Sequence, residues 1–149
     1  MKHLVLMVLG ALMYSGCGNS DDINNDNPNI PDYTFDTGLL INTNLPQYSN
    51  LLLAGNYITV VNGGFGVNGF VLYYAGNNLY SAFELTDPNH QFRNCSNLTV
   101  TGIHVTCNCE DENTYEILNG LPVEGTVGEY PLKRYFVEVN GNIIRVFNN

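Results

Sequence analysis

Residues 134–147 read Arg134-Tyr135-Phe136-Val137-Glu138-Val139-Asn140-Gly141-Asn142-Ile143-Ile144-Arg145-Val146-Phe147. Phe136 and Glu138 fall on one face of an extended chain, Val137 and Val139 on the other. Asn140-Gly141 suits a type I′ turn, whose central residues need positive φ and whose twist matches the strands it joins. Ile143, Ile144 and Val146 then resume the apolar pattern. The stretch predicts a hairpin of strands Arg134–Val139 and Asn142–Phe147. Upstream, short apolar or alternating runs recur between Gly/Asn turns. They predict strands at Thr37–Ile41, Tyr57–Val61, Phe70–Tyr74, Leu79–Leu85, Leu98–Val100, Ile103–Cys107 and Thr114–Ile117. Gly76-Asn77-Asn78 is a second turn of the same chemistry. A short helix fits near Ser49–Ala54, and no 3.6-residue apolar stripe or internal repeat is present. Many short strands at close spacing imply an all-β domain, a small sandwich or barrel.

The amino terminus has a different character. Residues 1–17 are MKHLVLMVLGALMYSGC. A short basic start, an apolar stretch from Leu4 to Met13 and small residues before Cys17 follow one another. That is the order of a signal peptide, and the apolar stretch is too short to span a bilayer. Ser15-Gly16-Cys17 resembles the lipobox of bacterial lipoproteins, with Tyr14 in place of the usual Leu. The expectation is a signal peptide over 1–16 and lipidation of Cys17. Residues 17–33 form an Asn/Asp/Pro-rich tether that cannot offset its own conformational entropy. Ser20-Asp21-Asp22 resembles the signals that send some lipoproteins to the cell surface. The expected location is therefore the cell envelope, at the outer membrane, with acyl chains as the membrane contact.

Composition narrows the function classes. The chain of 149 residues has 5 Lys+Arg against 14 Asp+Glu, a formal net charge of −9. Nucleic-acid binding is excluded as a main activity, because neutralising phosphates needs cationic side chains. Hydrophobic residues at 44% allow a packed core, while charged residues at 13% are about half the usual share.

Few motifs suggest chemistry. Gly64-Phe65-Gly66-Val67-Asn68-Gly69 fits G-x-G-x-x-G, but a strand follows where a nucleotide site needs a helix, so it reads as a Gly-rich turn. Glu110-Asp111-Glu112 lacks the spacing and Gly of a calcium loop. His104 lies in an alternating strand and reads as a sheet residue. His90 sits in the loop Asp87-Pro88-Asn89-His90, where a role is less easily dismissed. No nucleophile has a recognisable local base, so the chain does not read as an enzyme. Cys95, Cys107 and Cys109 belong to a compartment that permits disulfides. A bridge within Cys107-Asn108-Cys109 is strained, so Cys95 pairs with one of the two, or all three stay reduced. Tyr73, Tyr74, Tyr80, Tyr115, Tyr130 and Tyr135 offer aromatic area to an envelope protein or a glycan.

From about Leu45 onward the order of features resembles a Rieske domain. Leu79-Tyr80-Ser81-Ala82-Phe83 is similar to the strand before the family's first ligand loop, and Asp87-Pro88-Asn89-His90 falls at that loop. Val105-Thr106-Cys107-Asn108-Cys109-Glu110 resembles the second loop. Asn113-Thr114-Tyr115-Glu116, Gly120, Gly125 and Pro131-Leu132-Lys133-Arg134-Tyr135-Phe136-Val137 are similar to the segments after it. The resemblance implies stacked antiparallel sheets over 34–149, with an inserted loop-rich subdomain at about 85–118. It also implies that Cys95 and Cys109 match a disulfide pair that braces the two loops in some members, leaving Cys107 over.

The family site needs two thiolates on one iron and two imidazoles on the other. Here Asp87 or Pro88 stands at the first Cys and Asn89 at the first His, with His90 one place late. Glu110, or Asp111 if one residue is inserted, stands at the second His, and only Cys107 is retained. The expectation is a cluster-free, lipid-anchored binding or structural module with no cofactor. The alternative is an electron-transfer or metal-binding protein with an altered set: His90, Cys107, Glu110 and Asp87.

Overall fold

A computed structural model describes residues 27–61 and 63–149. The expected signal peptide and Cys17 lie outside these residues. Among the described residues ten strands follow in order: β1 Phe35–Asp36, β2 Ile41–Asn42, β3 Tyr57–Val60, β4 Phe70–Gly76, β5 Leu79–Glu84, β6 Leu98–Thr101, β7 His104–Cys107, β8 Thr114–Glu116, β9 Arg134–Asn140 and β10 Ile143–Asn148. A 3-10 helix at Pro46–Leu52 takes the place of the short helix expected slightly later, with Pro46 fixing its first turn and Leu51 buried. All strand pairs are antiparallel. A seven-stranded sheet runs β1-β10-β9-β5-β4-β3, with β2 also on β10, and a three-stranded sheet runs β6-β7-β8. The all-β expectation of stacked antiparallel sheets with a smaller inserted one therefore holds.

β4 explains how the layers stack. Phe70 and Leu72 point into a core with Phe35, Ile41, Leu51, Ala82, Tyr135, Ile144 and Val146. Val71 and Tyr73 point the other way, to Phe83, Leu85, Leu98, Val105, Tyr115, Ile117 and Leu132. The side-chain period of two sends alternate residues to opposite cores. That is why Phe70–Tyr74 reads as an unbroken apolar run rather than an alternating one. The second core lies between the large sheet and the small one, and Cys107 is part of it.

Three details differ from expectation. The β9–β10 turn is centred one residue later, because Ile143 pairs with Asn140. Gly141 has φ +59° and Asn142 is not in the positive region, as in a type II′ turn with Gly first. The turn with two positive-φ residues joins β4 to β5, at Asn77 (φ 52°) and Asn78 (φ 62°). The predicted strand Thr37–Ile41 is interrupted: β1 and β2 flank a turn in which Leu40 N–H bonds Thr37 O.

The tether boundary also moves. Ile30 is buried, Asn27 and Asn29 both donate side-chain N–H groups to Pro88 O, and Lys133 Nζ pairs with Asp32 Oδ1 at 2.7 Å. Residues 27–32 are thus docked on the domain rather than part of a free linker.

Candidate functional site

Two loops meet at one end of the small sheet. Loop 1 links β5 to β6. Its start is fixed by Asp87, whose N–H bonds Ser96 O at 2.8 Å and whose Oδ1 accepts from Asn89 N–H at 2.8 Å. Asx chemistry of this kind makes a short side chain stand in for a backbone turn. Loop 2 links β7 to β8. Cys107 N–H bonds Asn113 O, and Cys109 N–H points at Cys107 Sγ at 3.4 Å. Glu112 takes φ +47°, which lets the chain reverse after Asp111.

A covalent link joins the loops. Cys95 and Cys109 are disulfide-bonded, with S–S 2.08 Å, the pairing that the Rieske resemblance implied. Among the described residues, Cys107 is the free thiol and is buried. Beside it, His90 Nε2 lies 3.2 Å from Cys107 Sγ, 3.4 Å from Asp87 Oδ2 and 3.6 Å from Asp111 Oδ2. His90 Nδ1 lies 3.0 Å from Gln91 O, which holds the ring with Nε2 facing the acidic pair. Asn113 Nδ2 donates to Asp87 Oδ2 and to Asp111 Oδ2, each at 3.1 Å.

A further shell of hydrogen bonds fixes this arrangement. Asp87, fully buried, accepts from Tyr115 Oη at 2.6 Å. Asn89 Nδ2 donates to Tyr115 Oη and to Tyr130 O, and Asn89 Oδ1 accepts from Tyr130 N–H. Asn113 Oδ1 accepts from Val127 N–H. Residues 127–130 therefore form a third wall. At Gly128 a Cβ would fall 2.3 Å from Asn89 Oδ1, so only Gly allows that approach.

Electrostatics set what the group can do. Burial pushes the Cys107 thiol up to about 12, with Asp87 and Asp111 adding negative charge beside it. That is the reverse of the lowered pKa an activated nucleophile needs, despite the adjacent imidazole. Burial and Asp87 likewise raise Tyr115 above its ordinary value. An open pocket lined by Arg93, Asn108, Glu110 and the disulfide leads from solvent to His90 and Asp111.

The candidate residues sort accordingly. His90, Cys107 and Asp87 are brought together, as the alternative reading required. Glu110 is not: it lies on the exposed pocket rim, and Asp111 occupies the inward place. The turn after Cys109 rotates alternate carboxylates outward, so one residue of register decides between them. Asn89, which reads from sequence only as a lost ligand, instead links loop 1 to residues near 130. Its signal was the Asx-type spacing after Asp87. Tyr73, Tyr115 and Tyr135 are buried, so half of the tyrosines considered for a ligand surface are core residues.

A two-iron cluster does not fit this donor set. It requires two thiolates and two imidazoles on separate irons. Among the described residues the loops bring together one free thiol (Cys107), one imidazole (His90) and two carboxylates (Asp87 and Asp111), with Cys95 and Cys109 bonded to each other. His90 Nε2 and Cys107 Sγ are in direct contact at 3.2 Å, whereas ligands of different irons are separated by the cluster itself.

No family model and no curated protein matches the chain. Among solved structures, a chain from "Complex of reduced oxygenase and oxidized ferredoxin in carbazole 1,9a-dioxygenase" is similar at 21% identity and TM-score 0.42, over 63% of this chain and 82% of that chain. A likeness of that degree assigns neither activity nor ligand to this chain.

Proposed function

We propose that this chain is a lipid-anchored envelope protein, a Rieske-like binding or structural module without a [2Fe–2S] cluster and without enzymatic activity. One observation carries the reading: the two loops that hold a cluster in the Rieske family are joined here by the Cys95–Cys109 disulfide, with His90 and Cys107 in contact between them. The bridge ties loop to loop, and the donors beside it lack the second thiolate and the second imidazole that a [2Fe–2S] cluster requires. The raised Cys107 thiol argues against nucleophilic catalysis, despite the His90 imidazole beside it. Cys17 anchors the protein to the outer membrane, and its partner is an envelope protein or glycan. The acidic body, at −9 before processing, gives anionic headgroups nothing to bind, so acyl chains supply the affinity.

The test is intact mass of untagged, membrane-extracted protein with and without reductant, together with iron and acid-labile sulfide analysis. The expected result is a diacylglyceryl mass on a chain beginning at Cys17, one disulfide, and no stoichiometric iron or sulfide. Cys17→Ser should release the protein from the membrane fraction. Stoichiometric iron and sulfide with visible cluster absorption overturns the cluster-free reading, and an unlipidated mature chain overturns the anchor.

A further inference from the structure

We propose that His90 Nε2, Cys107 Sγ, Asp87 Oδ2 and Asp111 Oδ2 bind a single divalent ion of the zinc type in a four-coordinate site. This deepens the cluster-free reading and rests on it, since the same residues cannot hold two irons.

Distances come first. Zinc bonds imidazole N, carboxylate O and thiolate S at lengths that put tetrahedral N and O ligands roughly 3.4 Å apart, and N and S roughly 3.6 Å. The observed separations from His90 Nε2 are 3.4 Å and 3.6 Å to the two carboxylate oxygens and 3.2 Å to the sulfur. The ligand atoms of His90, Cys107 and Asp111 all lie within 4.8 Å of one another. Cys109 Sγ shares that radius, but its disulfide removes it as a thiolate donor.

One imidazole nitrogen is the common neighbour of one sulfur and two carboxylate oxygens, so a cation set between them meets all four ligand atoms while Asn113 Nδ2 keeps its bonds to both oxygens. The surrounding groups are those that orient metal ligands. Gln91 O receives the far ring nitrogen of His90, Asn113 Nδ2 holds both Oδ2 atoms, and Tyr115 and the Asn89 N–H occupy the other oxygen of Asp87. An entry path exists as well, through the pocket beside Arg93 and Glu110. A mixed imidazole, thiolate and carboxylate set suits zinc over harder ions such as calcium or magnesium, which take oxygen ligands only.

The experiment uses the full mature chain, untagged, with its disulfide intact, stripped with chelator. Zinc is titrated by competition with a chromogenic chelator, and cobalt(II) by absorption. The expected result is one ion per chain, with a thiolate-to-cobalt charge-transfer band and the intense visible bands of four-coordinate cobalt. Asp111 is 30% exposed, so Asp111→Asn keeps the fold, which circular dichroism checks, and should weaken zinc by about tenfold or more. Cys107→Ser should abolish the charge-transfer band, while Glu110→Gln should leave affinity unchanged. No saturable binding at one equivalent, a cobalt spectrum without the thiolate band, or wild-type affinity in Asp111→Asn overturns the proposal. Failure here with iron and sulfide also absent leaves the cluster-free reading standing, whereas native iron and sulfide overturn both.

Discussion

Tyr115 Oη donates a 2.6 Å hydrogen bond to Asp87 Oδ1, and both groups are buried. The bond ties β8, an edge strand of the small sheet, to the first residues of loop 1. Its partner atoms also engage Asn89, so loop 1 and β8 are held together at one carboxylate.

Removing that hydroxyl is the direct test of how the loops are held. Tyr115→Phe keeps the ring in its core position but takes the strongest donor from Asp87. Loss of a hydrogen bond to a buried charged group costs about 1.5–3 kcal/mol. Urea unfolding should show a lower midpoint with unchanged slope. An unaltered midpoint would mean that Asn89 and Asn113 suffice to hold Asp87.

Breaking the disulfide acts on the unfolded chain. Cys95 and Cys109 are separated by 14 residues, and closing a loop of that length restricts the unfolded ensemble by about 3 kcal/mol. Cys95→Ser with Cys109→Ser should lower stability by that amount. Reductant should lower the wild-type melting temperature and leave the double variant unmoved. Equal melting temperatures with and without reductant in the wild type would contradict the staple.

Glu84 is a second buried carboxylate, remote from the candidate site. It accepts from Val67 N–H at 2.8 Å, Asn68 N–H at 2.9 Å, Thr86 Oγ1 at 2.7 Å and Tyr135 Oη. These bonds fasten the Gly-rich turn to β5. Glu84→Gln turns an amide NH₂ toward groups that already donate, at an expected cost of about 2–3 kcal/mol. Gly66→Ala should be at least as harmful, since its Cβ would fall 2.4 Å from Glu84 Oε2 at φ +78°. Thermal melts of both variants check this, and a wild-type melt for Gly66→Ala would refute the close packing.

The acid limb of stability has an identifiable contributor. Arg145 bonds both oxygens of Asp36, at 2.9 and 2.8 Å, and this lowers the Asp36 carboxyl from its ordinary 3.8 to about 2. The folded state therefore binds that proton less readily than the unfolded chain. The contribution is complete above the ordinary value and disappears as pH falls toward about 2. Carboxyl NMR should place the Asp36 midpoint near 2, and Asp36→Asn should flatten stability across that window. Since the pair is exposed, added salt should shrink the effect. An Asp36 midpoint in the ordinary carboxylate range would refute the assignment.

Local chemistry made much of the fold legible in advance. Period-two alternation in Arg134–Phe147 and Gly/Asn turns between short apolar runs determined an all-β chain, because those signals act over neighbouring residues. The loop positions of Asp87, His90 and Cys109, and the place of Cys107 at a strand end, followed from the strands around them. Turn register did not follow. Asn140-Gly141 and Gly141-Asn142 differ by one residue, and the pairing of Ile143 with Asn140 across the sheet chose between them.

The same limit governed the site. Glu110 and Asp111 are chemically alike in sequence, and the backbone reversal at Glu112 turned Asp111 inward. Asn27 and Asn29 read as linker until Pro88 O, about sixty residues away, gave them a partner. Sequence by itself determined which residue types were at hand and the strands that carry them. Tertiary structure decided which atoms meet, because convergence of donors from separate loops depends on long-range packing that no local pattern encodes.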